Sequence, residues 1–340
     1  MTEPSQRYVL GSLTRLAPLD LEPFAVEPFA KSRWATGDYV VGEVVRGSSL
    51  LSRVELGSGR MAEVAHGDLV VGVLAERQAT LEVVGSWREI GDDLEMQALT
   101  SAGLFGKATS IATTVPELLT LRYRGHVVID GEKKTMSDWV TAAPAVDFRV
   151  PVILLIGTSM RAGKTISAKI LIRLLKEQGM RVVGAKITGA GRYRDILSMS
   201  DAGADAVFDF VDVGLPTTIC PEREYRPRLK LLLRKIAAVE PQVAVVEAGA
   251  SPMEPYNGSA AIAEINSNIC CTFLCASDPY AAVGVMVAFG LRPDRVTGVA
   301  ASTSTGIRLI RKLTGVEALN VLEPKNRPVL RRLLREKLGS

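Results

Sequence analysis

The residues best suited to chemistry stand together in Gly157-Thr-Ser-Met-Arg-Ala-Gly-Lys-Thr165. The segment follows an apolar run at 152–156 and precedes a helical pattern at 166–178. An apolar run without alternation suits a strand covered on both faces of a parallel sheet. Ile166, Ile170, Leu171, Leu174 and Leu175 recur at helical spacing, and Gly179 closes the pattern as a C-cap. A Gly-bounded loop between a buried strand and a helix start can wrap an oxyanion in backbone N–H groups at the positive end of the helix dipole. Gly157, Thr158, Ser159, Met160, Arg161, Ala162 and Gly163 would form that cradle. Lys164 would reach the β- and γ-phosphates of a nucleoside triphosphate, and the Thr165 hydroxyl would ligate Mg²⁺. The common spacing puts the first glycine at 158, where this chain has Thr158; Gly157 lies one place earlier. The plain alternative is a Gly-rich turn with an incidental lysine, and the strand–loop–helix context favours the phosphate cradle.

Composition sets the outer limits. A chain of 340 residues, 47% apolar and 23% charged, has the makeup of two or three globular domains. The net charge of +4, from 41 basic and 37 acidic residues, is too balanced to argue for a nucleic-acid partner. Aromatic residues, at 5%, leave few platforms for stacking single strands. The opening segment 1–7 lacks the apolar core of a signal peptide, and no apolar run is long enough to span a bilayer. A cytoplasmic protein without a membrane partner is expected. Cys220, Cys270, Cys271 and Cys275 lack the paired spacing of a zinc site and read as buried thiols. His66 and His126 are isolated from each other and read as surface or hairpin residues.

Two regions differ in grammar. Residues 1–148 read as a separate β-rich domain, with strands at 39–45, 52–56, 69–74, 80–84 and 126–129 and helices at 94–102 and 116–121. Gly37-Asp-Tyr-Val-Val-Gly-Glu-Val44 recurs 30 residues later as Gly67-Asp-Leu-Val-Val-Gly-Val-Leu74. The repeat predicts pseudo-symmetric halves of a small barrel, and it resembles the Gly-Asp box of cradle-loop barrels. From 149 to 340 strands and helices alternate, as in a parallel sheet with right-handed crossovers. Strands are expected at 150–156, 181–187, 243–247, 269–276 and 296–301, with helices at 225–239 and 279–289 among them. The basic amphipathic tail at 327–338 reads as a packing helix. The fold class is therefore α/β: a P-loop NTPase sheet with a separate β-rich N-terminal domain.

Ligands of such sheets collect at the carboxyl ends of the strands. Lys186 ends the second strand in a Gly-rich loop, followed by Arg192 and Arg194, then by Ser200-Asp201-Ala202. Glu247 ends the third strand, where a carboxylate is suited to Mg²⁺ or its water. Taken in order, Gly157 to Thr165, Gly184-Ala-Lys186, Ser200-Asp201-Ala202 and Glu247-Ala-Gly-Ala250 resemble the segments of dethiobiotin synthetase. The chain is identified as similar to the dethiobiotin-synthetase-like branch of P-loop proteins from roughly 150 to 320, without being that synthetase. The resemblance implies ATP and Mg²⁺ as cofactors, Asp201 and Glu247 with Thr165 as metal ligands, and Lys186 as the substrate-contacting lysine. Arg161 stands where that family usually carries an acid, the adenine-reading asparagine has no counterpart in Ala300-Ala-Ser-Thr-Ser304, and Ser159 stands where cell-division and metal-chaperone ATPases have a lysine.

The implied chemistry is an ATP-dependent ligase or synthetase that phosphorylates a carboxylate or carbamate before attack by a nucleophile. Lys164 and Lys186 are its expected catalytic groups. Positive charge at Arg161, Lys186, Arg192 and Arg194 suits a small anionic acceptor. The rival is a nucleotide-gated switch or assembly factor with the N-terminal barrel as partner-binding module; a small-molecule kinase is the third reading. A homodimer is expected, because active sites in this branch often sit at a dimer interface.

Overall fold

The computed structural model describes residues 7–47 and 53–339. The expected strand at 52–56 starts on Ser52, outside the described residues, as does all of the opening segment except Arg7. Contacts divide the chain into two compact units. The first is Met1–Thr141 with Ala190–Arg194 and Val211–Thr217; the second is Ala142–Gly189, Asp195–Phe210 and Thr218–Ser340. The sequence suggests one cut at 148. The two short segments return to the first unit because their polar groups bond there: Tyr193 N–H to Glu55, and Asp212 to Arg15.

Among the described residues the first unit carries twelve strands: β1 (Tyr8–Leu10), β2 (Ala25–Glu27), β3 (Tyr39–Arg46), β4 (Arg53–Glu55), β5 (Met61–Glu63), β6 (Leu69–Leu74), β7 (Glu76–Gln78), β8 (Val83–Ser86), β9 (Glu95–Thr100), β10 (Leu104–Ile111), β11 (Thr120–Ile129) and β12 (Glu132–Lys133). Pairing runs β6–β3–β11–β9–β10, and β10 returns to β6 in parallel, so the path closes on itself as a barrel. Closure removes the free strand edges. Val40, Val44, Val70, Leu74, Met96, Phe105 and Leu121 fill its core.

The repeated Gly-Asp segments supply two adjacent strands of this barrel. β3 and β6 pair antiparallel with Tyr39 opposite Val73 and Leu69 opposite Glu43. Exchanging each residue with the one 30 positions away turns the first pair into the second, so the register has a pseudo-twofold through Val41 and Val71. The turns match as well. Asp38 accepts the Ala35 N–H at 2.8 Å and Asp68 accepts the Ala65 N–H at 2.7 Å. In each turn the aspartate reaches back three residues to a backbone N–H just before the chain enters a strand.

Four expectations fail in this unit. Residues 94–102 contain β9, not a helix. Glu, Met, Gln, Ala and Leu are good helix formers, but Met96 and Leu99 are buried in the barrel and β9 pairs on both sides, and that context outweighs propensity. Residues 116–121 form a connection that enters β11 at Thr120, because Leu121 belongs to the core. The strand expected at 80–84 starts later, at Val83. His126 is also fully buried rather than at a surface. Its Nδ1 lies 2.6 Å from the Tyr123 hydroxyl and its Nε2 lies 3.1 Å from Asp38, which also accepts from Lys133 Nζ at 2.6 Å. His66 is exposed, as expected.

The second unit holds β13 (Val152–Gly157), β14 (Val182–Thr188), β15 (Ala206–Asp209), β16 (Val243–Ala248), β17 (Ile269–Cys275) and β18 (Arg295–Thr297). They form one parallel sheet in the order β15-β14-β16-β13-β17-β18. Every residue of β13, β14 and β16 is buried, which explains their apolar runs up to Lys186 of β14 and Glu247 of β16. The helices are α1 (Lys164–Lys176), α2 (Tyr193–Ser200), α3 (Glu222–Ala238), α4 (Gly258–Ile265), α5 (Pro279–Phe289), α6 (Ser304–Thr314) and α7 (Arg327–Leu338). The expected strand 296–301 shortens to β18 followed by a 3₁₀ turn over Val299–Ala301. Strand β15 is an addition; its four residues are too few for a periodic signal.

α1 buries Ala168, Leu171, Ile172, Leu174 and Leu175 in a cluster with Ile153, Leu155, Val245 and Phe273 of the sheet. α7 adds Leu330, Leu333 and Leu334 to the same cluster while its arginines face out, so the basic tail packs as expected. Each such side chain contributes about 1.5–3 kcal/mol on full burial. Cys271 and Cys275 lie in this core as small apolar groups, and burial pushes the Cys275 thiol up to about 12. Among the described residues no helix is long and apolar enough to cross a membrane.

The barrel makes a stability prediction from its repeated glycines. A β-carbon on Gly72 would lie 2.3 Å from the Gly103 carbonyl oxygen, a backbone atom at the closing β6–β10 seam, whereas one on Gly42 would meet the terminal methyl of the Met96 side chain at 2.6 Å. Gly72→Ala should cost about 1–3 kcal/mol in denaturant unfolding and Gly42→Ala clearly less. Equal costs would mean that the seam is not the tight point of the barrel.

Candidate functional site: a phosphate-binding loop at the sheet's carboxyl edge

β13 ends at Gly157 and α1 begins at Lys164, so the residues between them are held by a strand and a helix at fixed ends. Neighbouring strand ends shape the loop. Thr158 N–H donates to the Cys275 carbonyl at 3.0 Å, and its hydroxyl accepts the Ser277 N–H at 3.0 Å. Ser167 Oγ donates to the Gly163 carbonyl at 2.9 Å, one turn into α1. Arg161 takes a left-handed φ of 59°, uncommon for a residue with a side chain. The first turn of α1 carries no acidic side chain to compete with an anion at its positive end.

Gly298, just past β18, sets how closely the loop can be framed. Its φ is 86°, and a β-carbon there would lie 2.1 Å from the Ala162 carbonyl oxygen. Val299 N–H approaches the same carbonyl at 3.4 Å. This contact depends on strands distant in sequence, and the only sequence signal for it is a glycine directly after an apolar strand.

The charged groups stand close together and nearly dry. Lys164, Lys186 and Glu247 are exposed by 6%, 7% and 4%. Lys164 Nζ donates to the Ser159 carbonyl at 2.9 Å, along the inside of the loop. Burial pushes its ammonium below the usual lysine range, and the Glu247 charge only partly offsets this. Glu247 stands opposite Lys186 in the pairing of β16 and β14, and its Oε2 accepts the Thr165 hydroxyl at 3.0 Å. Burial raises the Glu247 carboxyl, against the pull of Lys186 and Lys164. Lys186 Nζ donates to Asp195 Oδ2 at 2.5 Å. Burial alone would depress Lys186, but the charges of Asp195 and Glu247 and the hydrogen bond to Asp195 together hold it above the usual lysine range.

The fold thus brings together Lys164, Thr165, Lys186 and Glu247. It adds Asp195, which the sequence reading passed over. Asp201 is exposed just beyond the last turn of α2, its N–H bonded to the Leu197 carbonyl at 2.8 Å. The two aspartates lie six residues apart, about 240° around a helix at 100° per residue, so only one of them can face Lys186. Arg192 and Arg194 belong to the first unit: Arg192 lies 3.7 Å from Glu82, and Arg194 is exposed. Among the described residues no three His, Cys, Asp or Glu side chains form a ready metal cluster. Mg²⁺ does not need one, because it is commonly held by one or two protein oxygens and the substrate's phosphates.

No family model and no curated protein matches the sequence. Solved structures do. A HypB from Helicobacter pylori in complex with nickel is 14% identical over 56% of this chain and 88% of that one, with a TM-score of 0.39. A signal recognition particle 54 kDa protein from Aeropyrum pernix in complex with GDP is 16% identical over 58% of this chain and 48% of that one, with a TM-score of 0.35. A DUF1611 family protein from Anabaena variabilis is 14% identical over 59% and 60%, with a TM-score of 0.34. These are likenesses of fold at low identity. The second unit has a P-loop NTPase fold on its own geometry, from the strand order and the loop between β13 and α1.

The framing of the loop is testable. Gly298→Ala should push Ala162 out of place and lower triphosphate affinity about tenfold or more, as a backbone clash of 1–3 kcal/mol implies. Val299→Ala, which leaves that approach open, should bind normally. Unchanged binding in Gly298→Ala, measured by calorimetry, would show that the loop does not depend on this contact.

Proposed function

We propose that the chain is a magnesium-dependent P-loop nucleoside triphosphatase working as a nucleotide-gated switch, with the N-terminal barrel as its partner-binding module. The observation that carries the reading is the state of Lys186. A lysine that binds an acceptor substrate should present its ammonium to a cavity; Lys186 is instead closed by Asp195 at 2.5 Å beside Glu247. A charge pair next to the phosphate loop suits an element that responds to the nucleotide. ATP is the nucleotide we propose, on the resemblance to dethiobiotin-synthetase-like proteins, and a cytoplasmic homodimer belongs to the same proposal.

In this reading the loop amides and the start of α1 receive the phosphates. Lys164 leaves the Ser159 carbonyl for the β- and γ-phosphates, whose negative charge offsets the penalty of its burial. The residues fit Mg²⁺: Thr165 and Glu247 offer a neutral and an anionic oxygen 3.0 Å apart at the head of α1. When bound, the ion neutralises charge on the phosphate oxygens. In hydrolysis a bond forms from water oxygen to the γ-phosphorus. The bond to the bridging oxygen breaks, and the diphosphate leaves with that electron pair. The protein's part is positioning and charge neutralisation.

A second reading keeps the ligase. It is favoured by the place of Lys186 at the carboxyl end of β14, where the resemblance puts a substrate-contacting lysine. Under it, Arg161 and Lys186 would draw a small anionic acceptor, with Asp201 as a further metal ligand.

Phosphate release from ATP and GTP separates the readings. The switch should turn over slowly without any acceptor, and Lys164→Ala should lose about a hundredfold or more of that rate. Turnover that appears only on adding a pool of small carboxylates would favour the ligase. Equal turnover by wild type and Lys164→Ala would reject both.

A further inference from the structure

Helix α5 of the second unit is apolar where a surface helix is normally polar. A helix that is apolar all round belongs in a core, whereas one at a surface turns charged and polar residues outward, as α7 does with its arginines. Residues 279–291 carry no charged side chain at all. Yet only Ala282 and Val285 of α5 are buried. Tyr280 is 68% and Val287 78% exposed, Gly284 and Ala288 are exposed with them, and Val283 is half-buried among them. These five residues stand at i, i+3, i+4, i+7 and i+8, the spacing that marks a face turned to a core. Here that face is turned to solvent. A β-carbon on Gly284 would meet nothing within 4 Å, so the middle of the face is open to close approach. A contiguous apolar stripe in water marks an interaction surface.

The ends of the helix indicate what fits it. Asp278 caps the start, its Oδ1 accepting the Tyr280 and Ala281 N–H groups, each at 2.9 Å. Arg292 follows the end and donates to the Gly315 carbonyl at 3.1 Å. Both side chains are exposed, and neither is ion-paired among the described residues. An apolar middle with an acid at one end and a base at the other is complementary to itself. A second copy lying antiparallel sets apolar face on apolar face, the acid of each copy near the base of the other, and the helix dipoles opposed. A parallel copy would set acid against acid. A helix that lies on a membrane carries Lys and Arg along a polar face, and α5 has no such face.

We propose that α5 is the centre of a two-fold dimer of this chain, in which two α5 helices pack antiparallel and cross near Gly284. The inference rests on the homodimer of the reading above and gives it an interface. The apolar stripe forms the core of that interface, and Asp278 and Arg292 form its rim. The eleven residues of α5 span about 16 Å. One helix face of that length is small beside the roughly 800 Å² per partner of a standard interface, so the dimer is a weak one with a micromolar Kd.

Sedimentation of the full chain over a concentration series, without nucleotide, tests it. The wild type should pass from monomer to dimer in the micromolar range. Val287→Glu places two unpaired carboxylates in the apolar contact and should weaken the dimer about a hundredfold or more. Arg292→Glu removes the pairing at both ends and should weaken it about fivefold. A wild type still monomeric at about 100 μM, a dimer indifferent to Val287→Glu, or one indifferent to Arg292→Glu would each overturn the proposal. Binding of a monomeric wild type to phospholipid vesicles would give the face to a membrane and overturn it as well. Oxidative cross-linking supplies a second measurement. Gly284→Cys, at the crossing point, should form a disulfide with its own copy, whereas Tyr280→Cys, about 12 Å from its copy in the antiparallel pair, should not. The reverse pattern would overturn the antiparallel pairing. A monomeric wild type removes the homodimer altogether, a dimer that survives Val287→Glu removes only α5 as its interface, and phosphate release judges the switch separately from both.

Discussion

Three charges, Lys164, Lys186 and Glu247, are held nearly out of water where β13, β14 and β16 end. Withdrawing an ion from water costs several kcal/mol even after the protein relaxes. Such groups persist only if each finds a partner: Ser159 for Lys164, Asp195 for Lys186, Thr165 for Glu247. Much of the local structure follows from that need. The loop turns inward so that its own carbonyl meets Lys164. The helix after β14 opens so that an aspartate meets Lys186. An apolar sheet surrounds the cluster and keeps the interactions strong, because the same low dielectric that penalises a lone charge strengthens a paired one. A polyphosphate with its metal ion would offer this cluster new partners, which is why the site reads as poised for a nucleotide.

The barrel has a different logic. Its two central strands are copies of one segment, and one antiparallel register satisfies both copies at once. Symmetry makes the pairing self-consistent, since any slip would misplace the apolar faces of both strands. The asymmetric additions are what distinguish the halves. Asp38 is buried with His126 and Lys133, whereas its counterpart Asp68 is exposed to an intermediate degree at the turn, where it accepts the Ala65 N–H.

Legibility in the sequence tracked the range of the determining interactions. The strand, loop and helix from 152 to 176 were readable because each signal is local: an apolar run, glycines, then helical spacing. α5 and α7 were readable to the residue for the same reason. The Gly-Asp echo was visible because its two copies carry the same turn chemistry. β9 was not, because its helix-forming residues are overruled by pairing on both sides. Buried His126 was not, because its partners Asp38 and Lys133 come from other strands. Asp195 was not singled out, because its approach to Lys186 depends on the phase of α2, whose Ile196 and Met199 are buried. Gly298 likewise has a role only once β18 lies beside the loop.

The central claim is that Thr165 and Glu247, with the loop and Lys164, form a magnesium-dependent triphosphate site. Calorimetric titration of non-hydrolysable ATP and GTP analogues, with magnesium and with chelator, tests it most directly when run on wild type and Glu247→Gln. The account predicts binding to wild type that weakens about tenfold or more on removing magnesium, and a smaller magnesium effect in the variant. Absence of binding, or an affinity indifferent to both the ion and the substitution, would contradict it.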